Sequence, residues 1–141
     1  MRVASLGVAR PAYYDRNASG TRQRYNAAIA PATFTTRWTA TIASGKKAFV
    51  EAVFVRCFQA TLPTAIGFME TYVETSDGVT NTLLASARAA TSLTVKQQAQ
   101  DRVAGTITLY AGNSIYCTTV DDSTGGTVQF TGDALYTIFD A

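Results

Sequence analysis

The chain has 141 residues and a formal net charge of +2, with 47% hydrophobic and 16% charged residues and no histidine. That length suits one domain and is too short for two ordinary ones, and a hydrophobic share of this size excludes disorder. The lack of histidine removes Ser-His-Asp and Cys-His nucleophile systems together with the commonest transition-metal ligand.

Residues 1–32 contain Pro11, Asn17, Ser19, Gly20 and Pro31 and no sustained hydrophobic period, so they are expected to form an extended N-terminal arm. Residues 1–37 hold six Arg and one Asp, whereas 38–141 hold six basic and nine acidic residues, giving a basic leader on an acidic body. Tyr13, Tyr14 and Tyr25 alternate with Arg10, Arg16, Arg22 and Arg24. Large, low-entropy groups of this kind are enriched at protein interfaces. Tyr13, Tyr14, Arg16, Arg22, Arg24 and Tyr25 are therefore the expected interface residues, with capping of the domain's own edge by Tyr13 and Tyr14 as the competing role. Because the arginines form no run or tight cluster, a protein partner is expected before nucleic acid.

Residues 33–141 are expected to form the folded domain. From Phe34 the pattern has period two, with Phe34, Thr36, Trp38, Ala40 and Ile42 on one face. Ser44-Gly45 marks a turn, and residues 48–58 are apolar on both faces, as in a central strand. Pro63 interrupts; Ile66, Phe68 and Tyr72 then alternate with Met69 and Val73 up to a turn at Ser76-Asp77-Gly78. Residues 82–87 and 93–95 are weaker runs, and 85–90 suit either a strand or a short helical turn, since alanine favours helix. Residues 103–109 and 114–120 flank a tight turn at Ala111-Gly112-Asn113. A turn at 122–126 precedes runs at 127–130 and 135–139. About eight strands punctuated by turns predict an all-β fold, an antiparallel β-sandwich of jelly-roll type with an extended N-terminal arm.

Chemistry-bearing groups are sparse. Cys57 and Cys117 each sit in an apolar strand and read as buried thiols. Glu51 and Glu70 lie on candidate neighbouring strands and are the one pair suited to glycoside hydrolysis; the competing role is pairing with Arg37 or Arg56. Asp121 and Asp122 precede a Gly-rich turn but lack calcium-loop spacing, so turn formation is expected. Trp38, Tyr72, Tyr110, Tyr116 and Tyr136 are candidates for a sugar-stacking platform, with Trp38 assigned to the interior. No cofactor or metal is expected, and no enzymatic activity. Residues 1–10 lack the apolar segment of a secretory signal, and no stretch approaches the roughly 18 apolar residues of a membrane helix, so synthesis in a cytoplasm is expected.

Arg10-Pro11-Ala12-Tyr13-Tyr14-Asp15-Arg16-Asn17, Arg37-Trp38 with Ile42-Ala43-Ser44-Gly45-Lys46-Lys47-Ala48, Leu109-Tyr110-Ala111-Gly112-Asn113-Ser114-Ile115 and Asp122-Ser123-Thr124-Gly125-Gly126-Thr127-Val128 together touch most of the chain. In these segments it resembles small virion structural proteins of tailed bacteriophages. The resemblance implies a virion protein present in many copies, either a head decoration or cement protein bridging major capsid subunits or a tail or fibre module that binds a receptor or carbohydrate. The implied partners are the major capsid protein and copies of the chain itself, as a dimer or trimer. None of the matched segments is a catalytic motif, so no functional residue is carried over.

Overall fold

The structure is a computed structural model and describes residues 20–65, 67, 69–89 and 98–141. Eight strands run in chain order: β1 (Gly20–Ile29), β2 (Ala32–Thr41), β3 (Lys46–Thr61), β4 (Met69–Ser76), β5 (Asn81–Ala89), β6 (Gln98–Tyr110), β7 (Ser114–Asp121) and β8 (Thr127–Asp140). Strand β1 pairs β8, β2 pairs β7, β3 pairs β6 and β4 pairs β5, all antiparallel. The chain is therefore one long hairpin folded about the β4–β5 turn. Rolling that hairpin brings β3 onto β8 and β4 onto β7. The result is two four-stranded sheets, ordered β1-β8-β3-β6 and β2-β7-β4-β5, which is the jelly-roll arrangement.

The core lies between the sheets and follows from alternation along the strands, interrupted at bulges. Val53, Val55 and Cys57 of β3 meet Val128, Phe130 and Ala134 of β8 on the inner face of the first sheet. Met69, Val73, Ile115 and Cys117 supply the second sheet's share, and all four are sealed from solvent. Cys57 and Cys117 are buried and not disulfide-bonded, as expected.

The expected turns hold at 44–46, 76–79, 111–113 and 122–126. Gly112 (φ 86°) needs the left-handed region, and Asn113 next to it accepts the Tyr110 amide through Oδ1 at 2.9 Å. Three expectations change and one open choice is settled. The arm of residues 1–32 gives up its second half, because Gly20–Ile29 pairs residue for residue with β8. Its inward positions carry only Tyr25 and Ile29 as large apolar groups, too few for a legible period. Phe34 does not share the inner face with Trp38. An extra residue at Arg37 breaks the β2–β7 register between Thr36 and Trp38, so Trp38 packs on the core while Phe34 is 67% exposed. Residues 85–89 continue β5 as strand, not helix, with Ala85 and Ala87 buried against the core. The two expected runs at the C-terminal end are a single strand, because Gly132 is extended and buried in the middle of β8. Ile66, Phe68 and residues 93–95 lie outside the described residues.

Candidate functional site

The outer face of the first sheet gathers arginines from three strands. Along β1 the outward positions are Arg22, Arg24 and Asn26; along β3 they are Phe54, Arg56 and Phe58; β6 contributes Gln100 and Arg102. Because β8 lies between β1 and β3, the registers align these residues in rows across all four strands. One row reads Arg24, Asp133, Phe54, Arg102, and the next reads Asn26, Thr131, Arg56, Gln100. Three inter-strand gaps of about 4.8 Å make the face about 14 Å wide. A groove of about 640 Å³ runs over it, lined among others by Arg22, Arg24, Arg56, Arg102, Gln129 and Asp133. That volume falls in the range of ligand-binding clefts.

The groove is cationic in detail as well as in sum. Asp133 is its single carboxylate, and Arg24 engages it through Nε at 3.3 Å. Arg22, Arg56 and Arg102 have no carboxylate partner among the described residues. The Arg102 guanidinium lies 5.1 Å over the Phe54 ring and that of Arg56 lies 5.7 Å from the Phe58 ring, so each ring carries a cation over one face. Arg56 Nε and Asp133 Oδ1 are sealed from solvent without a hydrogen-bond partner. Asn26 Oδ1 accepts from Gln129 Nε2 at 2.7 Å and from Thr131 Oγ1 at 3.1 Å, fixing a polar ladder along the β1 side. Guanidinium groups keep their charge at any working pH and present planar donors matched to carboxylate or phosphate. A groove so lined presents guanidinium donors suited to anionic oxygens; its lone carboxylate, Asp133, is engaged by Arg24.

The expected interface residues divide. Arg22 and Arg24 belong to this face, while Tyr25 points inward, packs on the core and carries the Arg37 guanidinium 4.8 Å above its ring. Tyr13, Tyr14 and Arg16 lie outside the described residues. Arg56 and Arg102 join the site without any signal linking them to Arg22 and Arg24 in the sequence.

The glutamate pair does not assemble. Val50 and Val53 both point into the core, which puts Glu51 and Ala52 on the outer side of the first sheet. Glu70 lies on the outer face of the second sheet, where Arg88 Nε reaches its Oε2 at 3.1 Å. With the whole core between them, the two acids cannot flank one bond. Arg37 serves neither; its Nε donates to Thr119 Oγ1 at 2.9 Å. The aromatic platform does not assemble either. Tyr136 is core, Trp38 packs against it, and Tyr110 is 61% exposed at the end of β6. Tyr72 and Tyr116 are half-buried on the second sheet's outer face. Burial, with a hydrogen bond donated to Glu74, pushes the Tyr116 hydroxyl up to about 12. Asp121 is the turn-former expected of it, its Oδ1 accepting the Ser123 amide at 2.9 Å. Among the described residues no cluster of three His, Cys, Asp or Glu could hold a metal ion.

A second, smaller depression of about 270 Å³ lies at one end of the sandwich, where the β4–β5 and β6–β7 turns bring Asp77 and Asn113 together. Val79, 93% exposed, tops the first of these turns, and Tyr110 flanks the second.

No family model matches the chain, and no curated protein matches it. Solved structures do. The dimeric latent PorU of Porphyromonas gingivalis is similar over 86% of this chain, at 12% identity and a TM-score of 0.50, and the chain spans 13% of PorU's length. The globular domain of a zebrafish complement 1qA protein matches over 89% of this chain and 100% of its own, at 10% identity and a TM-score of 0.48. A protein of Bacillus endospore appendages, which form disulfide-linked pili, matches over 93% of this chain and 96% of its own, at 16% identity and a TM-score of 0.38. At such identities the PorU likeness is one of fold alone, and it agrees with the two-sheet sandwich derived from the strand pairing.

Proposed function

We propose that this chain is a virion structural protein, a head decoration or cement protein that stabilises the shell by bridging major capsid subunits. It is made in the host cytoplasm and acts in the particle, with further copies of itself as neighbours in a dimer or trimer. One observation carries the reading: a rigid sheet face presents four arginines, three of them without a carboxylate partner among the described residues, and no pair of catalytic acids beside them. Such a face is suited to lasting polar contact with another macromolecule. The sequence resemblance supplies the setting. Adding purified protein to shells that lack it tests the proposal. Density at fixed positions on the shell by cryo-electron microscopy, with a rise in shell melting temperature, is expected. A monodisperse monomer that joins no particle, or density confined to the tail, would overturn it.

The end depression between the two turns favours one other use, a receptor- or carbohydrate-binding module of a tail or fibre. Tyr110 and Val79 are exposed apolar groups next to the turns that border it. Tail density together with glycan binding abolished by Tyr110→Ala would establish it.

A further inference from the structure

We infer that the arginine-lined face of the first sheet seats an extended acidic segment of a partner polypeptide, with carboxylates at alternate positions. The inference rests on the reading of this face as a docking surface but not on its location in a virion. A chain that binds such a segment and never joins a shell would keep this inference and remove the other.

Charge sets the class of partner. Arg22, Arg56 and Arg102 have no acid among the described residues to neutralise them, so the occupant must bring anionic oxygens. Spacing narrows it. Arg22 and Arg24 stand two residues apart on one strand, about 6.6 Å, which is the repeat at which an extended chain presents side chains on one face. Arg24 and Arg102 stand three strands apart, about 14 Å, which is close to four residues of extended chain. Acids two or four residues apart in an extended segment therefore meet guanidinium groups in either direction.

The remaining groups separate peptide from other polyanions. Gln129 and Asn26 leave one amide half each for a ligand that both donates and accepts, which a peptide backbone does and a phosphodiester does not. An acidic saccharide also does both, but sugar rings seek bare aromatic faces. Here the Phe54 and Phe58 rings each already carry a cation over one face, from Arg102 and Arg56.

The test uses the full chain and a dye-labelled peptide of alternating Glu and Thr, read by fluorescence anisotropy at low and at physiological salt. Saturable, salt-sensitive binding is expected. Arg102→Gln and Arg22→Gln, both at exposed positions, should each weaken it about threefold to tenfold. Arg88→Gln, on the other sheet, should leave it unchanged. The same peptide composition with its glutamates gathered at one end should bind more weakly than the alternating form. Absence of saturable binding at low salt, equal weakening by Arg88→Gln, or tighter binding of duplex DNA or oligogalacturonate of matched charge would each overturn the inference.

Discussion

Gly132 offers the sharpest test of how the two sheets fit. A methyl group added there would stand 2.2 Å from Cys117 Sγ, 3.4 Å from Cys117 Cβ and 3.6 Å from Thr71 Oγ1. Only the sulfur is impossibly close; the other two distances are ordinary contacts. Cys117 is fully buried and cannot swing aside, so Gly132→Ala forces the sheets apart or the thiol off its rotamer, at a cost of about 1–3 kcal/mol. Lower unfolded-chain entropy returns about 0.5 kcal/mol, leaving a loss of about 0.5–2.5 kcal/mol. In urea this is a fall of about 1 M in midpoint. Trp38, the chain's single tryptophan, reports directly, because its indole N–H donates to the Gly132 carbonyl at 2.9 Å. Cys117→Ala alone removes one buried sulfur and costs about 1 kcal/mol. Combining the two removes the collision, so the double variant should be more stable than the sum of the single losses by about 1–2 kcal/mol. Strict additivity, or a Gly132→Ala protein as stable as the parent, would refute this account of the sheet contact.

Three further outcomes follow from named groups. Tyr116, raised from 10.0 to about 12, favours the folded state fully below about pH 10 and loses that contribution as pH rises through about 12. Tyr116→Phe should flatten the alkaline decline in urea midpoint, and an unchanged slope would assign the decline elsewhere. Asp77 accepts the Thr80 amide at 2.7 Å and the Val79 amide at 2.9 Å, and these bonds hold its carboxyl below 3.8. Its contribution is present above about pH 4 and fades as pH falls through the lowered value. Asp77→Asn should keep the β4–β5 turn without that acid dependence and Asp77→Ala should not, as read by urea midpoints at neutral and acid pH. Burial pushes the Cys117 thiol up to about 11, so neither thiol should react with an aromatic disulfide reagent in the native state at neutral pH, and both should react in urea. Prompt native reaction of one equivalent would contradict the packing.

Turns and most inner faces were legible in the sequence because each depends on neighbours in the chain. Gly45, Gly78, Gly112 and Gly125 announce their turns with residues that tolerate positive φ, and each has it. Alternation in β3 is strong because its inward positions are nearly all apolar. Legibility failed where one residue changes parity or where apolar content is thin. The extra residue at Arg37 inverts the positions just before it in β2, and a second register shift lies between Ala32 and Thr35; together they leave Phe34 in solvent and not in the core. Nothing near Arg37 marks such an insertion. At Gly132 the opposite error arises, because glycine reads as a break although a buried, extended position without a side chain is what the close sheet contact needs. Strand β1 was hidden because charged and amide side chains fill its outer face and only Tyr25 and Ile29 anchor the inner one.

The arginine face was illegible for a topological reason. Its members lie at 22, 24, 56 and 102; Arg22 and Arg24 stand out as interface candidates of an extended arm, whereas Arg56 and Arg102 each look alone like a solvated charge on a strand. They converge because the last strand, β8, inserts between the first and the third, a pairing that spans more than a hundred residues for Gln23 and Tyr136. Local periodicity carries no information about which strand lies beside which. The asymmetry of charge along the chain did carry some: an arginine-rich beginning joined to a more acidic remainder requires the basic segment to lie somewhere. In the fold, part of that segment lies on β8, with Arg24 against Asp133, and the arginines of β3 and β6 extend the same surface instead of neutralising it. Beyond the Arg24–Asp133 pair and the ring contacts of Arg56 and Arg102, this basic surface finds no neutralising partner among the described residues. The arrangement therefore points outward, to an anion that the described residues do not themselves provide.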